Sequence, residues 1–160
     1  MNYETKRIMF SSARGDWETP DDLYGQLDAE FHFTLDVCAN ASNAKCIDFL
    51  DHDTGLSSLW HGTCWMNPPY GRRITTWIEK AYMESIVQGN ATVVCLLPAR
   101  TDTKWFHNYC VHGEIRFLKG RLKFKGAESS APFPSMIVVF RPGIPLQINW
   151  ESTAPADGYG

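Results

Sequence analysis

Four consecutive residues, Asn67-Pro68-Pro69-Tyr70, have the composition of a device for activating a planar amino group. Each proline fixes its own φ, lacks an N–H and biases the residue before it toward extended backbone. The Asn67 carboxamide oxygen and the Pro68 carbonyl can then converge as two acceptors on one –NH₂. That draws the nitrogen lone pair out of conjugation and aims it at an electrophile. Tyr70 offers a π-face on which a flat base could stack, worth about 1–3 kcal/mol per base. Proline makes up about 5% of average composition, so adjacent prolines arise at roughly one position in 400. An Asn before them and a Tyr after them make the pattern rarer still. The competing reading is a Pro-Pro turn after a buried strand, with Tyr70 as core filler.

The flanking residues say which elements would hold this corner. Residues 63–66 read as a strand, and Ile74, Trp77, Ile78, Ala81, Tyr82, Ser85 and Ile86 recur at helical spacing until Gly89-Asn90. Residues 91–97 are apolar throughout, which predicts a strand at the centre of a parallel sheet. It ends at Pro98-Ala99-Arg100-Thr101, where Thr101 or Asp102 can cap a helix through Trp105, Phe106, Tyr109 and Cys110. Residues 114–118 and 136–140 read as two late strands, the second stopped by Pro142.

Upstream, Thr19 is read as an N-cap with Pro20 at the first helical position and Asp21 and Asp22 at the positive helix end. Leu23, Leu27 and Phe31 continue that helix as an apolar stripe. Residues 33–39 read as a buried strand in which Asp36 needs a partner, because an acid among apolar residues is costly alone. Residues 46–50 are a second short strand candidate, followed by a polar turn from Asp51 to Leu56.

Alternation of strands and helices predicts an α/β sheet with a late antiparallel pair. Ligands of such sheets sit at the carboxyl ends of the strands. Asp36, Asn67 and Pro98 all fall at or near such ends, so one rim collects them. The expected organisation is a flexible arm over 1–15, one domain over 16–142 and a loose tail over 143–160.

With 160 residues, 44% hydrophobic and 21% charged, the chain is ordinary for one soluble domain. No apolar run could span a bilayer, and the polar start Met1-Asn2-Tyr3-Glu4-Thr5-Lys6 is unlike a signal peptide. The five cysteines are scattered and odd in number, as suits reduced thiols. Cys38, Cys46, His52, His61 and Cys64 lack the paired short spacing of a zinc site, so no metal is expected.

A net charge of −3 means that any nucleic-acid contact must use a local patch. Lys119, Arg121, Lys123 and Lys125 alternate with Leu118, Gly120, Leu122 and Phe124. In an extended strand this puts four cations on one face. Arg72 and Arg73 follow the corner, and Arg100 and Lys104 follow the central strand, so both pairs can border the same rim. The competing reading of the stripe is a solvated edge strand whose lysines discourage aggregation.

Five segments occur in one order: Asp16-Trp17-Glu18-Thr19-Pro20, Phe33-Thr34-Leu35-Asp36-Val37-Cys38-Ala39, Asn67-Pro68-Pro69-Tyr70-Gly71, Leu97-Pro98-Ala99-Arg100-Thr101 and Lys119-Gly120-Arg121-Leu122-Lys123-Phe124. Together they resemble phage-type DNA N6-adenine methyltransferases over about residues 16–141. The resemblance implies a compact Rossmann-like class I methyltransferase fold, S-adenosylmethionine as cofactor, DNA as partner and the cytoplasm of a bacterial host as location. It implies methyl transfer to adenine N6, with Asn67, Pro68, Pro69 and Tyr70 as the catalytic corner. It also implies cofactor contacts from the Trp17-Glu18-Thr19-Pro20 segment, Asp36, Cys38, Ala39 and Asn67, with Asp53 facing the adenosine part. Two departures stand out. Cys38 and Ala39 occupy positions where many methyltransferases have glycines, and only about thirty residues separate Asp36 from Asn67, too few for two full crossovers. The same corner also serves methyltransferases acting on glutamine side chains or RNA guanine. A catalytically inactive DNA-binding relative, or an interaction module built on the proline corner, are the remaining alternatives.

Overall fold

The computed structural model describes residues 17–143; the arm over 1–15 and nearly all of the tail from 143 onward lie outside the described residues. The first helix, α1 (Asp21–Phe31), has Pro20 as its N-cap and both aspartates in its first turn. Thr19, read as the cap from sequence, lies one residue outside and makes no cap bond; its hydroxyl is engaged elsewhere. The apolar stripe is as expected, with Leu27 buried and Leu23 and Phe31 packed against the core. His32 ends the helix in the left-handed region at φ 55°.

Five strands form one mixed sheet in the order β1-β2-β3-β5-β4. These are β1 (Leu35–Asp36), β2 (Gly62–Met66), β3 (Ala91–Pro98), β4 (Glu114–Phe117) and β5 (Ser135–Phe140). β1, β2 and β3 are parallel neighbours, and β5 runs antiparallel to both β3 and β4. β5 alone is therefore reversed. β3 is central, as its unbroken apolar run predicts, and Val93 to Leu97 are fully enclosed.

The front of the sheet is shorter than the sequence predicts. Backbone bonding runs from Thr34 N–H donating to Thr63 O through Val37 N–H donating to Trp65 O, but the chain bends after Asp36. Asp36 itself causes the bend, because its carboxylate accepts from the Cys38 and Lys45 amides and folds the following loop back. Residues 46–50 form no strand; Phe49 makes a single parallel bridge to Asp36, with Ile47 wholly exposed beside it.

The connection from β1 to β2 is abbreviated to one helical turn, α2 (Thr54–Ser57). It lies directly on the sheet because Gly55 has no side chain. A Cβ there would collide with the Val37 carbonyl and come within 2.6 Å of the Trp77 ring. Trp60 donates its indole N–H to Gly55 O at 2.8 Å and stacks on Trp77. After β2 come α3 (Ile74–Tyr82) and a π-helical turn at Met83–Val87. The next helix, α4 (Lys104–Asn108), is capped by Thr103, whose hydroxyl accepts from Phe106 N–H, rather than by Thr101 or Asp102.

The π-helical turn carries Glu84, whose carboxylate is buried. It accepts from Lys80 Nζ at 2.7 Å, Asn90 Nδ2 at 3.1 Å and Trp60 N–H at 3.2 Å. Burial opposes its ionisation, but these donors outweigh burial and hold the carboxyl below its ordinary value near 4.5. A folded-state value below the unfolded one stabilises the fold above about pH 5 and loses that contribution as acid protonates the folded carboxylate. Glu84→Gln should therefore lower the melting temperature near neutral pH and flatten the acid limb of the stability curve. Thermal melts across pH check this.

Candidate active site

A cleft whose empty space, counted together with the open solvent at its mouth, is about 540 Å³ lies at the carboxyl ends of β1 and β2. Register explains the position. Asp36 pairs with Trp65, so Asn67, two residues on, emerges just past the end of both strands. Trp17, Glu18 and Thr19 close one wall, while Asn67, Pro68, Pro69 and Tyr70 form another.

The orientation of Asn67 is set by its neighbours. Its Nδ2 donates to the Trp17 carbonyl at 2.5 Å and to Thr19 Oγ1 at 3.1 Å. A backbone carbonyl can only accept, so the amino end of the carboxamide must face Trp17. The opposite end, Oδ1, is buried and has no hydrogen-bond partner. Buried acceptors in native proteins are nearly always paired.

The segment that grips Asn67 is itself braced. Lys125 N–H donates to Glu18 O at 2.9 Å in an isolated antiparallel bridge. Trp17 meets Phe124 and Phe133 edge to face at centroid distances of 5.0 and 5.7 Å. Tyr70 joins the same aromatic cluster and donates its hydroxyl to Leu96 O at 3.1 Å. Its ring is only 4% exposed. The open stacking face read from sequence is therefore largely covered, because the ring is wedged between the corner and β3.

Asp36 is buried in the cleft wall, and burial raises its carboxyl above the usual range while the Lys45 and Cys38 amides pull it down. Its oxygens hold the loop over 37–45. Cys38 lines the cleft, and burial pushes its thiol up to about 12. Such a thiol stays protonated and unreactive. Ala39 is buried outside the cleft lining, and Pro20 serves α1. Asp53 is exposed and does not line the cleft wall, whereas its neighbour His52 does. Asp51 builds that turn, its Oδ1 accepting from the Asp53 and Thr54 amides.

The expected cationic strand over 119–125 does not form. Gly120 turns the chain at φ 77°, and only Lys125 enters a bridge. The alternation survives in burial: Lys119, Arg121, Lys123 and Lys125 are exposed, whereas Leu122 and Phe124 face inward. Lys125 also pairs with Asp21 at 3.2 Å. Arg72 and Arg73 are exposed directly behind the corner, Lys104 is exposed at the start of α4, and Arg100 is half-buried near Tyr70.

Residues 7–153 match the model of the DNA N-6-adenine-methyltransferase (Dam) family. A protein of Haemophilus phage HP1 (strain HP1c1) called DNA N-6-adenine-methyltransferase is 33% identical over 153 residues, covering 88% of this chain and 87% of that protein. The chain belongs to the DNA N-6-adenine-methyltransferase family. The resemblance drawn from the five segments is thereby borne out, and with it the assignment to DNA adenine-N6 methyltransferases.

Within this Dam-family cleft, Asn43, Lys45 and Trp65 also line the wall without having been read as site residues from sequence, beside Glu18 of the segment 17–20 and His52, which was weighed only as a metal ligand. Lys45 carried the one available signal, as a cation within the polar stretch after β1. Its Nζ reaches Asp21 at 3.2 Å and Glu18 at 4.0 Å. Among the described residues no group of three or more His, Cys, Asp or Glu is placed to hold a metal ion. No described helix is long and apolar enough to cross a membrane.

Proposed function

We propose that this cleft binds S-adenosylmethionine and an extruded adenine together, and that Asn67 and Pro68 aim the adenine N6 at the methyl group. The observation that carries the reading is the buried, unpartnered Asn67 Oδ1 at the strand ends. An acceptor held there matches one N6–H, and the Pro68 carbonyl takes the other. S-adenosylmethionine, when bound, supplies an electrophilic methyl on a sulfonium centre. The residues present suit it: Trp17, Trp65 and Cys38 offer an apolar wall, and Glu18, Asn43, Lys45 and His52 offer polar groups. The parallel strands β1 to β3 with a reversed β5 fit a compact Rossmann-like methyltransferase sheet with an abbreviated middle.

Reaching N6 within a duplex requires base flipping, at a cost of a few kcal/mol. Holding the amine and the methyl in line can supply about 7–11 kcal/mol, so positioning carries most of the rate. Tyr70 then acts chiefly as the wall against which the corner is fixed. Labelled methyl transfer to DNA, RNA and protein acceptors tests the reading. Label in DNA alone supports it, and label in RNA or protein instead assigns the corner to guanine or glutamine.

The exposed cations over 119–125, with Arg72, Arg73, Arg100 and Lys104, are proposed to hold DNA phosphates. Replacing Lys119, Lys123 and Lys125 with Gln should lower the salt slope of DNA binding by about one unit per lost contact. All sequences should weaken alike, since phosphate contacts position without specifying. An unchanged slope would assign these lysines to solubility.

A further inference from the structure

We propose that Thr19 is a positioning residue: its hydroxyl, accepting from Asn67 Nδ2, holds the carboxamide in the orientation that the Trp17 carbonyl selects. This rests on the methyltransferase reading of that cleft. A carboxamide is flat, and its two ends are nearly equal in size, so packing alone hardly distinguishes the two orientations. They differ wholly in chemistry. With Oδ1 inward the group accepts from an amine, and with Nδ2 inward it confronts the amine donor to donor.

The Trp17 carbonyl, which can only accept, makes the choice, and Thr19 Oγ1 takes a second bond from the same Nδ2 and fixes the group there. Of these only Thr19 contributes a side chain. Thr19 is 2% exposed, so no bulk water competes for its oxygen. Both its neighbours are fixed: Glu18 is bridged to Lys125, and Pro20 caps α1 through its backbone. The β-branched side chain is stiff at χ1, which keeps the oxygen aimed at Asn67. Because the N-cap falls on Pro20, with no side-chain cap bond, the Thr19 hydroxyl is released from the capping role its sequence context suggests.

The test compares Thr19→Val, Thr19→Ala and Thr19→Ser with the wild-type protein. Single-turnover methyl transfer, cofactor affinity by calorimetry and melting temperature are measured for each. Thr19→Val and Thr19→Ala should each lose about tenfold in rate while the cofactor Kd stays within about twofold, a loss of the size expected for one hydrogen bond. Thr19→Ser, which keeps the oxygen, should recover most of the rate. In an Asn67→Ala background, Thr19→Val should add no further loss, because residues acting through one another are not additive. A cofactor Kd that rises in step with the rate loss would overturn the proposal and make Thr19 a cofactor contact. Losses that Ser does not rescue, or that multiply with Asn67→Ala, would make Thr19 merely structural. Wild-type protein that binds cofactor yet transfers no methyl would remove the underlying reading itself.

Discussion

Asn67→Ala is expected to slow methyl transfer by on the order of 10²–10³, the loss seen when one preorganised polar group is removed from a reacting centre. The effect should fall on the chemical step, because Oδ1 has no structural partner to lose. Losing Nδ2 leaves the Trp17 carbonyl and Thr19 hydroxyl without their donor, so a small drop in stability should accompany it. Calorimetry should still find cofactor binding. A variant with near-normal turnover would reduce the corner to a Pro-Pro turn.

The second large effect is expected at Phe124. It is buried, and its ring meets Trp17, Tyr70 and Phe133, so it joins the two walls of the cleft. Phe124→Ala should cost about 3–5 kcal/mol of stability, as large-to-small changes at buried aromatics do. Its second consequence is specific to this fold. Trp17 would lose its nearest aromatic support, and the Trp17 carbonyl holds Asn67. Turnover measured well below the melting temperature should therefore fall too. Denaturant unfolding and single-turnover kinetics on the same sample separate the two effects. Full activity in the folded fraction would show that the aromatic cluster supports the fold without tuning the corner.

Much of this arrangement was legible from periodicity and residue type. The unbroken apolar run over 91–97 marks the central strand because only a strand covered on both faces tolerates it. The rim position of Asp36 and Asn67 followed from strand ends, and the register of β1 on β2 agrees. What periodicity does not show is how one side chain reroutes the backbone. Asp36 accepts from two amides and bends the chain, so a predicted seven-residue strand is two residues long. Gly120 at φ 77° likewise turns an alternating cationic segment into a loop. Asp53 and His52 differ by one position, and the turn built by Asp51 decides which enters the cleft. Thr19 before a proline reads as a helix cap on local chemistry alone. Its bond to Asn67 spans 48 residues, beyond the reach of any local pattern.

The proposed role of the cleft is to present an acceptor to adenine N6. Its most direct test is to treat unmodified DNA with the protein and methyl-labelled S-adenosylmethionine, digest the product to nucleosides and separate them. Label is expected in N6-methyl-2′-deoxyadenosine, with its loss in Asn67→Ala. Label in a methylated cytosine, or the same adenine product at undiminished rate from Asn67→Ala, would contradict it.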